Sequence, residues 1–201
     1  ALTAKDTITI TLNDRLSTFK SEDFKNSVYK VDATTEQSVK VSKIKHTVNY
    51  DVQSVVTLTL KDWDSTTTSD SLSIRVSNGK SKNSYGETIA NFDEEVVDKA
   101  APIVEEIYFK DDETIVIELS EEIKASTAAS GKNGFSVSGG KAKLTEAKVD
   151  GTTKIILKGE NFKETTDVSY NDVFGLADEN GNALKSFTRT DKLKPMPAEG
   201  E

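Results

Sequence analysis

Cysteine is missing from all 201 residues, so disulfides, thiolate metal sites and thiol nucleophiles are excluded, and stability has to come from packing, hydrogen bonds or bound ions. Histidine occurs once, as His46, which excludes a multi-histidine metal site. Basic charge is in deficit: 26 Lys and Arg face 34 Asp and Glu for a net charge of -8, which argues against nucleic-acid backbones and anionic membrane surfaces as partners. No run approaches the 18 apolar residues that a membrane-crossing helix needs, so no membrane insertion is expected. The stretch from Ala1 to Asp6 lacks the basic-then-apolar pattern of a signal peptide, and residues 193–201 read as a polar tail with no hydrophobic anchor.

What the chain has in quantity is alternation. Thr7-Ile8-Thr9-Ile10-Thr11-Leu12 places Ile8, Ile10 and Leu12 on one face and threonines on the other, the pattern of a half-buried strand. Val39–Ile44, Val56–Leu60 and Leu72–Val76 read the same way, and turn-forming clusters such as residues 64–70 and Asn78-Gly79 separate them. No stretch of twelve residues carries a helical apolar stripe with caps; short helical turns are expected near Leu16–Phe24 and Ile123–Ala129. The fold class is all-β.

Laying the halves together exposes a repeat. Ile8, Ile10, Leu12 and Leu16 match Ile115, Ile117, Leu119 and Ile123 at a constant spacing, and Gly86–Phe92 matches Gly181–Phe187. Between these anchors, Tyr29-Lys30-Val31 is set against Phe135-Ser136-Val137, Val56–Leu60 against Thr153–Leu157, and Trp63 near Phe162. The joint falls at Val96–Pro102, which predicts two tandem β-sandwich domains, residues 1–98 and 99–192. The acidic excess belongs to the second, with 13 basic against 15 acidic side chains in residues 1–99 and 13 against 19 in residues 100–201. The second copy carries an apolar run, Pro102 through Tyr108, ahead of its first shared strand. The first has no equivalent, so its N-terminal edge reads as truncated and the chain as a piece of a longer array.

The order Asp98-Lys99-Ala100-Ala101-Pro102-Ile103-Val104, an alternating strand ending in Leu119-Ser120-Glu121-Glu122-Ile123, Gly134-Phe135-Ser136-Val137 and Leu176-Ala177-Asp178-Glu179-Asn180-Gly181-Asn182-Ala183-Leu184 resembles the bacterial Ig-like domains repeated in S-layer and other surface proteins of Gram-positive bacteria. The resemblance covers nearly all of residues 102–191. It is weaker over residues 2–98, where Ser81–Gly86 departs from the Asp-x-Asn-Gly-Asn form. It implies two tandem Ig-like domains of an extracellular cell-surface or cell-wall layer, in which calcium often stiffens domains or their junctions.

Catalysis is not expected. His46 reads as a solvent-facing strand residue, no Gly-x-Ser-x-Gly elbow is present, Glu121 and Glu122 point to opposite faces of a strand, and the Gly-Lys pairs at 79, 131 and 140 read as hairpin turns. Calcium is the one site to weigh. Asp178, Asn180 and Asn182 supply oxygens around Gly181, although Asn-Gly is equally the favoured pair of a plain hairpin turn; Asp98, Glu105, Asp111 and Asp112 form a second acidic group near the joint, which a solvated rim also explains. Two functions remain open. One is a structural spacer that contributes rigidity and lateral contacts with copies of itself or neighbouring domains. The other is a module binding cell-wall glycan or a host protein through Trp63, Tyr50 or Tyr85, with Trp63 also readable as a repeated core plug.

Overall fold

The computed structural model describes residues 1–4, 6–31, 35–63, 71–124, 132–149 and 152–197. The chain divides into two compact units, Ala1–Ala100 and Ala101–Glu201. The turn cluster at residues 64–70 and most of the helical turn expected near Ile123–Ala129 lie outside the described residues.

Unit 1 is built from β1 (Leu2–Ala4), β2 (Thr7–Thr11), β3 (Leu16–Thr18), β4 (Val28–Val31), β5 (Glu36–Ser38), β6 (Val41–Val48), β7 (Ser54–Leu60), β8 (Ser71–Val76), β9 (Lys82–Asn83) and β10 (Phe92–Glu95), with one 3-10 turn at Ser21–Asp23. One sheet runs β1-β2-β7-β6 and the other β10-β8-β4-β5, while β3 pairs with β9. The alternation read from the sequence decides what is buried. Ile8, Val56 and Leu58 from the first sheet meet Val28, Ile74 and Val76 from the second in one core, closed by Phe24.

Unit 2 follows with β11 (Val104–Asp111), β12 (Thr114–Leu119), β13 (Phe135–Ser138), β14 (Lys143–Val149), β15 (Lys154–Glu160), β16 (Asp167–Tyr170), β17 (Phe187–Arg189) and β18 (Lys194–Pro195). Its sheets run β14-β15-β12-β11-β18 and β13-β16-β17. Ile107, Ile115, Ile117, Ile155 and Leu157 pack against Phe135, Val168 and Tyr170, and the rings of Phe135, Tyr170 and Phe187 lie 4.9 to 6.3 Å apart.

Strand registers tie the two units to one plan. Ile8 faces Leu58 and Ile10 faces Val56 in unit 1; Ile115 faces Leu157 and Ile117 faces Ile155 in unit 2. Val56 therefore stands where Ile155 stands, two residues from the alignment expected of the sequence. The same logic moves Val28, opposite Ile74, to the place of Val137, opposite Val168. Tyr29 is instead on the outer face of its sheet, under the Arg75 guanidinium at 5.1 Å. At the N-terminal edges, Leu2 pairs in parallel with Asp98 as Phe109 does with Pro195, and Lys99 N–H donates to Leu2 O as Met196 N–H does to Phe109 O. Ala1 takes the place of Tyr108, exchanging hydrogen bonds with Thr9.

Candidate functional site

Each unit carries a loop shortly before its last strands, ahead of β10 in unit 1 and of β17 in unit 2, and in both units that loop is the same hydrogen-bonded device. In unit 2 the Asp178 N–H donates to Asn182 O, the Gly181 N–H to Asp178 O, and the Leu184 N–H to Leu176 O. Asp178 Oδ1 accepts the Asn182 N–H at 2.7 Å and Oδ2 accepts the Asn182 side-chain amide at 2.8 Å. In unit 1 the same bonds run Asn83 N–H to Glu87 O, Gly86 N–H to Asn83 O and Ile89 N–H to Ser81 O. Asn83 Oδ1 accepts the Glu87 N–H at 3.0 Å, and Asn83 Nδ2 donates to Glu87 Oε2 at 2.9 Å. Gly86 and Gly181 both adopt left-handed φ, +83° and +85°, which a tight turn there requires.

An amide and a carboxylate thus face each other across both loops, with their order inverted: Asn83 then Glu87, but Asp178 then Asn182. The departure of the first loop from Asp-x-Asn-Gly-Asn hides this equivalence from a motif reading. The loop closes with a neutral amide at position 83, so the turn itself needs no cation.

One neighbour differs in kind. Asn83 Nδ2 also donates to Asp14 Oδ2 at 3.3 Å. By the shared register Asp14 corresponds to Glu121 and Asn83 to Asp178, so unit 2 brings two carboxylates together where unit 1 has a carboxylate and an amide. Glu121 is 6% and Asp178 3% exposed, and oxygens of the two lie within 4.8 Å of each other. Two charged carboxylates this close repel one another in a poorly solvated place.

Asn180 is exposed and Asn182 half-buried in the loop. Asp98 belongs to unit 1 and accepts the Ala100 N–H on Oδ1 at 2.9 Å. Glu105 is exposed near the start of β11, whereas Asp111 ends that strand and Asp112 lies in the hairpin after it, about 20 Å away at the usual rise per residue. Asp111 caps the Glu113 N–H at 3.0 Å. Burial works to raise the Asp111 carboxyl, but this bond, a bond from Thr114 and the nearby Lys158 and Lys110 outweigh it and hold the group low. Glu105 and the Asp111–Asp112 pair therefore do not converge.

His46 departs from expectation. Its ring is half-buried, stacked on Phe19 at 4.7 Å, with Nε2 2.8 Å from Ser54 Oγ. Ser54 Oγ also accepts the Leu16 N–H at 2.8 Å. Ser54 is fully buried and engaged on both sides, so this Ser–His pair has no exposed nucleophile.

Burial lowers the His46 pKa below its ordinary 6.5. The unfolded chain then takes up the proton first, so the contribution of His46 to stability is complete above about pH 6.5 and declines as the pH falls through that value toward the folded pKa. Urea midpoints of the full chain at pH 7.5 and 5.5 are expected to differ more in the wild type than in His46→Gln. An equal difference in both would show that His46 is not the group involved.

Of the aromatics, Trp63 packs against the core of unit 1, and its counterpart in unit 2 is the buried Phe162. Tyr50 and Tyr85 are fully exposed. They share one end of unit 1: Tyr50 sits at the tip between β6 and β7, whose first residue Ser54 donates its N–H to Asp14 O, and Asp14 in turn holds Asn83 beside Tyr85.

With this geometry in view, comparison with known proteins supplies the context. Residues 1–99 match outer cell wall protein domain 7. The matched segment is unit 1 almost to its last residue, and the similarity to an outer cell wall domain points to the cell wall or cell surface and to a structural role there. No curated protein matches the chain.

Proposed function

We propose that this chain is a structural spacer of an extracellular surface layer: two tandem Ig-like β-sandwiches that contribute rigidity and lateral contacts with copies of themselves or neighbouring domains. The observation that carries the reading is the repetition of one register plan, down to the bonds of the closing loops, in a chain whose first copy is similar to an outer cell wall domain. Repeated cores with short, polar connections suit a module that holds shape. Sedimentation and electron microscopy of the purified chain at rising concentration test this. Ordered, concentration-dependent association is expected.

The second reading, a glycan- or host-protein-binding module, draws on Tyr50 and Tyr85 sharing one end of unit 1. A chain that stays monomeric throughout, yet retains wall polysaccharide in a pull-down that Tyr50→Ala or Tyr85→Ala abolishes, would replace the first reading by this one.

Calcium forms part of the proposal, at the Glu121–Asp178 pair of unit 2. Hard cations take carboxylate oxygens, and one bound here would relieve the repulsion between the two groups. Because a ligand of the folded state raises the melting point, millimolar calcium is expected to raise Tm relative to chelator, and Asp178→Asn to remove the difference. Identical melting curves would remove calcium from the account without touching the spacer reading.

A further inference from the structure

In unit 2 the strand by which the chain enters pairs with the strand by which it leaves, and the two are parallel. Lys194 of β18 lies opposite Tyr108 of β11 and Pro195 opposite Phe109, and the Met196 N–H donates to Phe109 O at 2.9 Å. Unit 1 makes the same contact, where the Leu2 N–H donates to Val97 O at 2.9 Å and Leu2 O accepts the Lys99 N–H at 2.8 Å. Among the described residues, all other strand pairings in both units are antiparallel.

Strand direction decides how tension reaches this pair. A pull along the chain draws β11 backward by its leading end and β18 forward by its trailing end. Because the strands are parallel, those ends are opposite ends of the pair, so the load slides one strand past the other and the bonds between them fail together. Entry and exit strands that ran antiparallel would be loaded at a single end and would open bond by bond. Both strands are also anchored. Ile103, just ahead of β11, donates its N–H to Ser120 Oγ at 3.1 Å and accepts the Ser120 N–H at 2.9 Å, and Ile107 is 1% exposed. Leu193, just ahead of β18, lies in the core and donates its N–H to Glu164 O at 2.7 Å, while Lys192 pairs with Glu164 at 2.6 Å. Lys194 reaches across to Glu106 of β11. An ion pair with so exposed a lysine adds little to stability at rest, but it ties together the two strands that the load would slide apart.

We propose that the parallel pairing of β11 with β18 is a force-bearing latch, through which unit 2 resists tension carried along the chain. Its use rests on the spacer reading, because a module tied into a layer is stretched by what it is tied to. The latch itself follows from strand direction and is tested apart from association.

The chain has no cysteine, so one engineered thiol fixes where a tether is attached. Two forms of the full chain are held at constant load in optical tweezers, each by its C-terminus and by one exposed position, Ile103→Cys ahead of β11 or Asp112→Cys beyond it. The first form loads the latch in shear and the second peels it from one end. At equal load unit 2 is expected to survive at least about tenfold longer in the first form, since forced unfolding follows the unfolding barrier. Met196→Pro, which removes the backbone donor of the latch, is expected to shorten the first lifetime by about threefold or more. Equal lifetimes in the two forms, a longer one in the second, or a first lifetime that Met196→Pro leaves unchanged would each overturn the latch. The comparison of tethers leaves the latch itself unaltered, so it decides the matter whether or not that variant folds. Equal lifetimes in a chain that associates remove the latch and keep the spacer, and unequal lifetimes in a chain that stays monomeric do the reverse.

Discussion

Phe162→Ala is expected to destabilise unit 2 by about 3–5 kcal/mol, the range for emptying a fully buried aromatic site, and to do far more damage than Trp63→Ala does to unit 1. The asymmetry follows from one exchange between the copies. Leu60, 3% exposed, fills a core position in unit 1, and Trp63 beyond it lies only partly buried. The corresponding residue in unit 2 is Gly159, and the Phe162 ring, 1% exposed, occupies the space a side chain there would need: a Cβ on Gly159 would meet Phe162 Cζ at 2.3 Å and Lys143 O at 2.2 Å. Gly159 and Phe162 are therefore one packing solution and Leu60 with Trp63 another. Urea denaturation followed by amide resonances assigned to each unit reads both variants. Equal losses for Trp63→Ala and Phe162→Ala would contradict the exchange.

Asn83→Asp is expected to cost unit 1 about 2–3 kcal/mol at neutral pH, because a buried amide that donates to two carboxylates is replaced by a third carboxylate. The backbone bonds from Tyr85 and Glu87 to Oδ1 survive the change, while the donations to Asp14 at 3.3 Å and Glu87 at 2.9 Å do not. Crowding raises the pKa of the new carboxyl in the folded state, so the folded form gains a proton first, and the penalty, full above that raised value, shrinks as the pH falls through it toward the ordinary carboxyl range. Adding Glu87→Asn restores a donor amide across the loop in the order used by unit 2, and is expected to recover about half the loss, as coupled neighbours do. Chemical denaturation of the single and double variants checks this. A single variant as stable as the wild type, or a double variant no better than the single, would show that the amide–carboxylate pairing is incidental.

Most of the fold was legible because burial follows alternation. Ile8, Val56, Leu58, Leu72, Ile74 and Val76 sit in the core as their period of two requires. It failed where the ladder is irregular. Val41 and Ile44, three apart, both pack against the core because the β6–β7 register shifts between Val41 and Lys43, and no alternation rule anticipates that extra residue. The slip of two residues in aligning β7 with β15, and the misplacement of Tyr29 against Phe135, have a related cause: loops of different length separate the repeats, and only cross-strand pairing fixes the correspondence.

The candidate site was less legible. The Asp178 loop was visible through its Asn-Gly pair, but its twin at Asn83 was hidden by the inverted order of amide and acid. Glu121 joined Asp178 only through the fold, since 56 intervening residues say nothing of their approach, and Asp14 beside Asn83 was beyond reach for the same reason. His46 read as solvent-facing because its strand position was known, whereas Phe19 and Ser54, which cover and bind it, come from elsewhere in unit 1.

The central claim, one β-sheet plan written twice, is tested most directly by cross-strand proton contacts measured by nuclear magnetic resonance on the full chain. The account predicts backbone contacts between residues 8 and 58 matched by 115 and 157, and between 2 and 98 matched by 109 and 195. Contacts that pair these strands in a different register in the two halves, or that thread one sheet through both, would contradict it.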